Sequence, residues 1–361
     1  MYNTVELLER EKQMKERKSS YILISFLIVA FLCSSLLMAG DASRVGTASG
    51  VQVQVPVGAR VIGMGGADIA HVSGVEALYW NPAGLGRMEG RASAMFSTRN
   101  IIADISVNYL ALGFNAGKVG TLGFSMKSFG IGDIPVTTTQ NMDGTGAMYS
   151  PTFATIGMSY ARSLTDHVGV GVTGKVIYES VPRASASSFA ADLGLQYDEL
   201  FNIKGLDLGL AITNIGQDLQ YTGSAFLTKA TDKSETYEAY RYRTTSSDQL
   251  PSTFEIGASY EKSLGSANLL TSVQFQNNNY EQDQIKIGAE LSINKMIYLR
   301  GGYGLQIEDK DNQGLGKSVY GLSTGAGLKL SLGSADLLVD YAYQPMEYFG
   351  NGNMFSIAIA F

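Results

Sequence analysis

The chain has 361 residues and a formal net charge of −6, with 42 glycines, 20 tyrosines and 15 phenylalanines but one cysteine and two histidines. This composition is rich in strand and turn formers and poor in the side chains that carry nucleophilic, acid–base and metal chemistry. It argues against an enzyme. We predict no catalytic residue, metal site or cofactor, and the absence of a Lys/Arg stripe argues against a nucleic-acid partner.

Residues 1–39 have the order of a secretory signal peptide. The chain is charged up to residue 20, apolar over residues 21–38, and then continues with small residues. We predict cleavage after Ala39, with Met1 or Met14 as the start of translation. The mature protein would then be exported.

The only cysteine, Cys33, falls within this leader, so a mature chain has no thiol and no disulfide. Processing as a lipoprotein at Cys33 is disfavoured, because Leu32 is bulky where such signals have a small residue. An uncleaved membrane anchor is the alternative, since an apolar run of about 18 residues can just span a bilayer.

A glycine-rich segment, residues 40–90, follows the leader. Closely spaced glycines indicate tight turns or close approach of backbones, and Pro82 excludes a central strand. Residues 68–78 have the apolar spacing of a short helix. These properties predict a compact plug, or hatch, inside a barrel.

From residue 91 to residue 361 the chain repeats segments in which apolar and polar residues alternate with a period of two. About fourteen strands are predicted, at residues 91–98, 104–116, 118–129, 150–162, 166–180, 186–198, 205–214, 251–262, 266–277, 282–294, 296–307, 318–331, 334–345 and 353–361. Every even-numbered connection is short, whereas long connections are predicted at 130–149, 215–250, 308–317 and 346–352. An even strand count with this asymmetry is typical of outer-membrane barrels, which have short periplasmic turns and long external loops.

The last strand alternates large and small residues and stops on an aromatic. Phe355, Ile357 and Ile359 alternate with Ser356 and Ala358, which predicts a wall with lipid outside and lumen inside. An edge strand of a soluble sandwich is the alternative. With an even strand count, both ends of the chain are expected on the periplasmic side. The fold class predicted is therefore all-β, a transmembrane antiparallel barrel of about 14 strands with an N-terminal hatch in its lumen.

Two motifs resemble a known family. The pattern Gly-Ala-Arg-x-x-Gly-Met-Gly-Gly-Ala at residues 58–67 and Trp-Asn-Pro-Ala-Gly-Leu at residues 80–85 are similar to the N-terminal region of FadL-type outer-membrane barrels, and the first is closest to the PorV/PorQ branch. The resemblance implies a hatch-gated barrel. It also implies that the hatch determinants, along a ligand path, are Gly58, Arg60, Gly63, Gly65, Gly66, Asn81, Pro82, Ala83, Gly84 and Leu85. The C-terminal aromatic, Phe361, resembles the signal by which such barrels are recognised by the assembly machinery.

The resemblance implies transport or handover in the bacterial outer membrane, with outer-membrane lipid around the barrel. The cargo would be a hydrophobic small molecule that passes the hatch, or the C-terminal domain of a secreted protein, as for a type IX secretion component. Aromatic residues in the 215–250 connection, such as Tyr240 and Tyr242, are candidate anchors for such a partner. A structural scaffold without its own cargo is the alternative.

Three motif matches are rejected. Residues 169–175 fit a phosphate-loop pattern, but Val176 replaces its Ser/Thr and a strand is predicted where the motif needs a helix. Residues 321–325 match the nucleophile elbow, which also requires a helix. Residues 309–314 resemble the start of a calcium loop, but Tyr320 occupies the position of the closing Glu.

Overall fold

A computed structural model of the protein describes residues 44–101, 105–231, 238–307, 321–346 and 350–361. The predicted leader, residues 1–39, and the stretch 309–314 lie outside these described residues. Among the described residues, no helix combines the length and the apolar character needed to cross a membrane.

Fourteen of the described strands close into one antiparallel barrel, in the order β1-β2-β3-β6-β7-β8-β9-β14-β15-β16-β17-β18-β19-β20. All strands, in chain order, are β1 Ala92–Asn100, β2 Ser106–Asn115, β3 Thr121–Gly130, β4 Ile134–Pro135, β5 Met148–Tyr149, β6 Thr152–Ser163, β7 Val168–Val181, β8 Ala184–Tyr197, β9 Leu206–Gly216, β10 Leu219–Gln220, β11 Leu227–Thr231, β12 Glu238–Tyr242, β13 Ser247–Asp248, β14 Thr253–Leu264, β15 Ala267–Asn278, β16 Gln284–Ile293, β17 Ile297–Gln306, β18 Leu322–Leu332, β19 Ala335–Met346 and β20 Gly350–Ala360. The six remaining strands form two-stranded ribbons in the long connections. The predicted barrel is confirmed strand by strand, with boundaries shifted by at most a few residues.

The alternation of residues separates the two faces of the wall. On β20, Phe355 and Ile357 are half exposed on the outer face, while Ser356 is buried on the inner face. The same alternation of outward apolar and inward polar residues is present on β14, where Ile256 faces outward and Glu255 is buried inside. β1 pairs with β20 over residues 93–99, so the first and last strands close the wall. The rejected phosphate-loop match lies in the strand β7.

The two ends of the barrel differ in the length of their connections. We call the end with the even-numbered connections the turn end; these are residues 116–120, 164–167, 198–205, 265–266, 294–296 and 333–334. The opposite end is called the loop end, and it carries the long connections 131–151 and 217–252. The predicted asymmetry is therefore present at these two connections. The long connection predicted at 346–352 is wrong, because β20 already begins at Gly350. Short 3₁₀ turns occur in these connections, at Gly117–Val119, Leu200–Asn202 and Ser224–Phe226.

Residues 44–90, which we call the luminal segment, lie inside the wall. They form 3₁₀ turns at Val51–Gln54, Gly74–Glu76 and Pro82–Arg87 and short helices at Ala59–Gly63 and Ala77–Trp80. The predicted helix over residues 68–78 is wrong. Residues 68–72 form only a turn, Ser73 is extended, and Gly74 has a φ of 67°, which ends any helix before the next turn begins.

The luminal segment runs the whole length of the barrel. At the loop end, the Arg44 guanidinium donates to Asn279 (2.8 Å) and to Tyr280 (2.5 Å) and lies over the Tyr280 ring. At the turn end, the Arg91 N–H donates to the Phe361 carbonyl (2.6 Å). Because the barrel has an even number of strands, its first strand begins and its last strand ends at the turn end. The expectation that the N-terminal segment also starts at this end is wrong, because the contacts of Arg44 hold its first described residues at the loop end.

The apolar core lies between the luminal segment and the inner face of the wall. Its largest cluster joins Ile62, Leu78 and Leu85 of the segment to Met95 and Val107 of β1 and β2. The inside of the barrel is therefore a packed interior around the segment, in addition to the outward apolar face.

Candidate functional site

The predicted hatch residues form two groups along the chain, at residues 58–66 and at residues 81–85. The first group packs against one side of the wall, formed by β16 to β18. Gly63 faces Gly325, and a Cβ atom at Gly63 would lie 3.1 Å from the Gly325 Cα atom. Gly65 has a φ of 70°, and a Cβ there would lie 2.8 Å from the Tyr303 backbone nitrogen. The segment backbone therefore touches the wall backbone directly.

Two further members of this group contact other parts of the luminal segment. Gly58 has a φ of 88°, and the carboxylate of Glu76 occupies the space that its side chain would need. Gly66 lies against the rings of Trp80 and the stem of Lys286. Both glycines therefore allow close packing, as predicted, but within the segment as much as against the wall.

The second predicted group packs across the barrel, against β7, β8 and β9. The Asn81 amide donates to the carbonyls of Ile69 (2.8 Å), Leu195 (3.2 Å) and Leu210 (3.3 Å), and its carbonyl accepts from the Ala83 N–H (3.2 Å). Asn81 is fully buried, so these bonds satisfy polar groups that water does not reach. Asn81 therefore fastens the segment to itself and to two wall strands.

The residues that follow Asn81 continue this contact. Pro82 and Ala83 lie on the backbone of Gly171, Gly84 lies on the Val72 carbonyl, and Leu85 is fully buried. The two predicted groups thus belong to opposite sides of one packed segment. They do not converge on a single pocket.

Glycines of the wall complete both contacts, and the sequence reasoning missed them. They occupy inward-facing positions on many of the barrel strands, at Gly113, Gly123, Gly171, Gly194, Gly209, Gly257, Gly288, Gly302 and Gly325. A Cβ atom at Gly209 would lie 2.5 Å from the Ile69 carbonyl, and one at Gly113 would lie 2.6 Å from the Met88 sulfur. Recurrence of glycine on the inward phase of many strands is the signal that would have found them.

A cavity of about 310 Å³ opens between the luminal segment and the wall toward the loop end. The segment lines it mainly with apolar groups, from Val51, Val53, Val55, Pro56, Ile62, Tyr79 and Trp80. The wall lines it with polar groups that bond to each other: Lys175 pairs with Asp192 (2.7 Å), and Thr253 donates to Glu255 (3.1 Å). One side of the cavity is therefore apolar and the other is polar but largely satisfied.

A second cavity, of about 500 Å³, opens toward the turn end. It lies beside the seam of β1 and β20, where the inward residues Ser93 and Ala358 are small. Val75, Met88 and Met95 give it an apolar side, and Arg60, Glu76, Arg300, Lys329 and Asp336 give it a charged side.

A cluster of charged side chains lies where the luminal segment meets β16, β17 and β19. Arg60 pairs with Asp68 of the segment (2.6 Å) and with Glu290 of the wall (3.1 Å). Arg300 pairs with Glu290 (2.6 Å) and with Asp340 (2.5 Å). Buried charges are tolerated when each has a hydrogen-bonded partner, and this chain of contacts supplies one for every member.

Glu76 lies beside this cluster, and the Val61 N–H donates to it at 3.4 Å. Burial raises the pKa of Glu76 to about 7, although Arg60 lowers it; Asp340 raises it again, and Arg300 lowers it. Because it faces two arginines and an acidic residue from three elements, its charge state is sensitive near neutral pH.

Comparison with solved structures shows the fold of the chain. It is similar to the CymD monoaromatic hydrocarbon channel, with 14% identity and a TM-score of 0.54 over 84% of this chain and 97% of that one. It is also similar to the Ralstonia pickettii toluene transporter TbuX (15% identity, TM-score 0.51, 84% and 97% covered). A third similar structure is the P. putida toluene transporter TodX (11% identity, TM-score 0.51, 84% and 96% covered).

The chain therefore has a fold similar to that of these three structures. No protein-family model matches the sequence, and no curated protein matches it.

Proposed function

We propose that the protein is a non-enzymatic barrel of the bacterial outer membrane that admits small hydrophobic molecules to its lumen and passes them across that membrane. Two features support this. The outer face of the wall carries large apolar residues on strand after strand, as lipid contact requires. The fold is that of channels whose described cargoes are hydrocarbons.

The observation that carries the proposal is the loop-end cavity. Its apolar side comes from the luminal segment, and most groups of its polar side are already paired, so a hydrophobic guest would leave few polar groups without partners. An apolar cavity of about 150 Å³ is enough to bind benzene in another protein. At about 310 Å³, this cavity has room for a small aromatic molecule or a short alkyl chain.

Two other readings remain as predictions. Handover of secreted proteins, as in the PorV/PorQ branch and type IX secretion, would use the loop end, where Tyr240 and Tyr242 are exposed. Capture of secreted C-terminal domains by the purified barrel would test it. A scaffold role predicts that neither a hydrophobic molecule nor a secreted protein binds.

The chain has one tryptophan, Trp80, and it lines the loop-end cavity, so its fluorescence reports occupancy directly. We expect 4-bromotoluene, which quenches on contact, to quench Trp80 in the detergent-solubilised barrel with a saturable dependence on concentration. Val51→Glu places a charge at the exposed cavity lining and should weaken binding by about tenfold.

Val45→Glu is the matched control, because Val45 is exposed on the same segment but does not line the cavity. It should bind as the wild type does. Cells that make the wild-type barrel should also take up 4-bromotoluene faster than cells without it. Unsaturable quenching that is equal in all three proteins, or uptake equal to that of cells lacking the barrel, would contradict the proposed function.

A further inference from the structure

The six connections at the turn end share an uncommon kind of side chain. Tight turns are usually built from Gly, Asn, Asp and other small or polar residues. Here each connection carries, within it or on the residue just before it, a large apolar residue that is at least half exposed. A single exposed apolar residue is ordinary, but one on every turn makes a ring around this end of the barrel. These residues, which we call the turn-tip residues, are Val119, Leu164, Phe201, Leu264, Met296 and Leu332.

Exposed cations accompany this ring. Five of the six turn-tip residues have an exposed Lys or Arg within three positions along the chain, and a further cation lies beside Phe361 at the seam of β1 and β20. None of these cations has an ion-pair partner among the described residues, whereas Lys329, near the sixth turn-tip residue, pairs with Asp336 (2.9 Å). We call them the belt cations; they are Arg91, Lys118, Arg162, Lys204, Lys262 and Lys295.

Carboxylates do not balance the belt cations. Asp198 and Asp336 are already in ion pairs, with Arg87 and Lys329. Near the same turns, the exposed or partly exposed carboxylates that have no such pair are Glu89, Asp166, Glu199 and Glu261. The surface of the turn end therefore has an excess of positive charge, although the whole chain has a net charge of −6.

The neighbouring strands β3 and β6 show how the two kinds of side chain are arranged. The Tyr160 hydroxyl donates to the Val119 carbonyl (2.6 Å), so this tyrosine lies against the turn that carries Lys118. Arg162 follows Tyr160 by two residues and therefore points to the same, outer face of β6. Lys118 and Arg162 thus accompany one exposed apolar patch, formed by Val119, Tyr160 and Leu164.

The interfacial region of a phospholipid leaflet fits such a surface. Apolar side chains enter the boundary of the acyl chains, while the long stems of Lys and Arg let their charged ends reach headgroup phosphates. The turn-tip residues also continue the apolar outer face of the wall, because Leu264 and Leu332 are the last residues of β14 and β18. A cation near a membrane surface raises the affinity for anionic lipid by about fivefold.

We propose that the turn end is a binding surface for anionic glycerophospholipids, in which the belt cations hold headgroup phosphates and the turn-tip residues insert among the acyl chains. The proposal rests on the membrane location that belongs to the proposed function, and it adds a lipid class and an end of the barrel. Because outer-membrane barrels have their short turns on the periplasmic side, the lipids concerned are those of the periplasmic leaflet.

Two single-cysteine variants compare the lipid preference at the two ends, each in a Cys33→Ser background. Leu122→Cys places a fluorescent label on the outer face of β3 near the turn end, and Val176→Cys places one on the outer face of β7 toward the loop end. The bilayers contain equal amounts of phosphatidylglycerol and phosphatidylcholine, and only one of the two lipids carries bromine. We expect brominated phosphatidylglycerol to quench the label at 122 more strongly, with a relative binding constant of about five. The label at 176 should be quenched equally by the two brominated lipids.

Paired substitutions identify the side chains responsible. Lys118→Gln with Arg162→Gln should remove the preference at position 122. Arg183→Gln with Arg243→Gln takes two exposed cations from the loop end and should leave that preference unchanged. Heat-modified migration on gels verifies that each variant is folded.

Equal quenching of the label at 122 by the two lipids, with all belt cations present, would overturn the proposal. So would a preference that survives the loss of Lys118 and Arg162. Labels that neither brominated lipid quenches would instead contradict the membrane location itself, and the lipid-binding surface would fail with it.

Discussion

Glycine is the residue on which the contact between the wall and the luminal segment depends most. Where β17 and the segment meet, backbone faces backbone, and a Cβ at Gly65 would lie 2.8 Å from the Tyr303 nitrogen. Real Cβ atoms do not approach backbone atoms this closely, so a side chain there forces the segment away from the wall. The same reasoning applies to the inward glycines on the wall.

Gly65→Ala tests this packing, and Gly74→Ala is its matched control. Both glycines have a left-handed φ, of 70° and 67°, but a Cβ at Gly74 would meet no atom within 4 Å. The left-handed conformation costs an alanine about 1–2 kcal/mol at either site, and overpacking adds about 1–3 kcal/mol at Gly65 only. We therefore expect Gly65→Ala to lower the free energy of unfolding in urea more than Gly74→Ala. Equal losses would show that the contact is not tight.

At the scale of elements, the luminal segment is held by apolar packing and polar contacts with the wall and by its own short turns. Its longest described α-helix has only five residues, so it derives little stability from helix formation itself. Burial of Glu76 beside Arg60 makes the packing of this element dependent on the charge state of one carboxyl group.

The stability of the barrel should therefore respond to pH through Glu76. Its pKa is raised from an ordinary value of 4.5 to about 7 by burial, so the folded protein holds this proton more tightly than the unfolded chain does. The stabilisation from Glu76 is complete below pH 4.5 and is lost as the pH rises to about 7. Relative to Glu76→Gln, the wild type should lose stability in urea between pH 5 and pH 8, and parallel curves for the two proteins would contradict this.

The last strand is the second element with a specific expectation. The Phe361 backbone pairs with Arg91 and Ala92, while the residue as a whole is 55% exposed. Phe114 is a matched control, since this residue is 57% exposed near the same end of the barrel. If Phe361 is part of the signal for the assembly machinery, Phe361→Ser should reduce folded barrel in cells several-fold, and Phe114→Ser should not. Similar levels of the two variants would argue against that role.

At the scale of the whole molecule, the barrel was predictable and its interior was not. A barrel strand alternates apolar side chains on its lipid face with polar or small side chains on its lumen face. Segments such as residues 282–294 therefore predict β16 without any knowledge of the strands beside it. The contact between Arg60 and Glu290 joins residues 230 positions apart, and no local pattern encodes it.

The hatch motif was likewise predictable only in part. Glycines at 58–66 and Asn81 predict close packing, which the structure contains, but they do not indicate which strands of the wall they contact. The direction of the segment was missed because it depends on Arg44 and Tyr280, which are distant in the chain. The role of these residues in a ligand path stays a prediction.

The most direct test of the whole arrangement is lipid contact along β20. With Cys33 as the only native cysteine, single cysteines at Phe355, Ser356, Ile357 and Ala358 can carry a fluorescent label in bilayers of brominated lipid. Labels at 355 and 357 should be strongly quenched by bromine, while those at 356 and 358 should remain unquenched or resist labelling. Equal quenching at all four positions, or none at 355 and 357, would show that the outer face of this wall does not contact lipid.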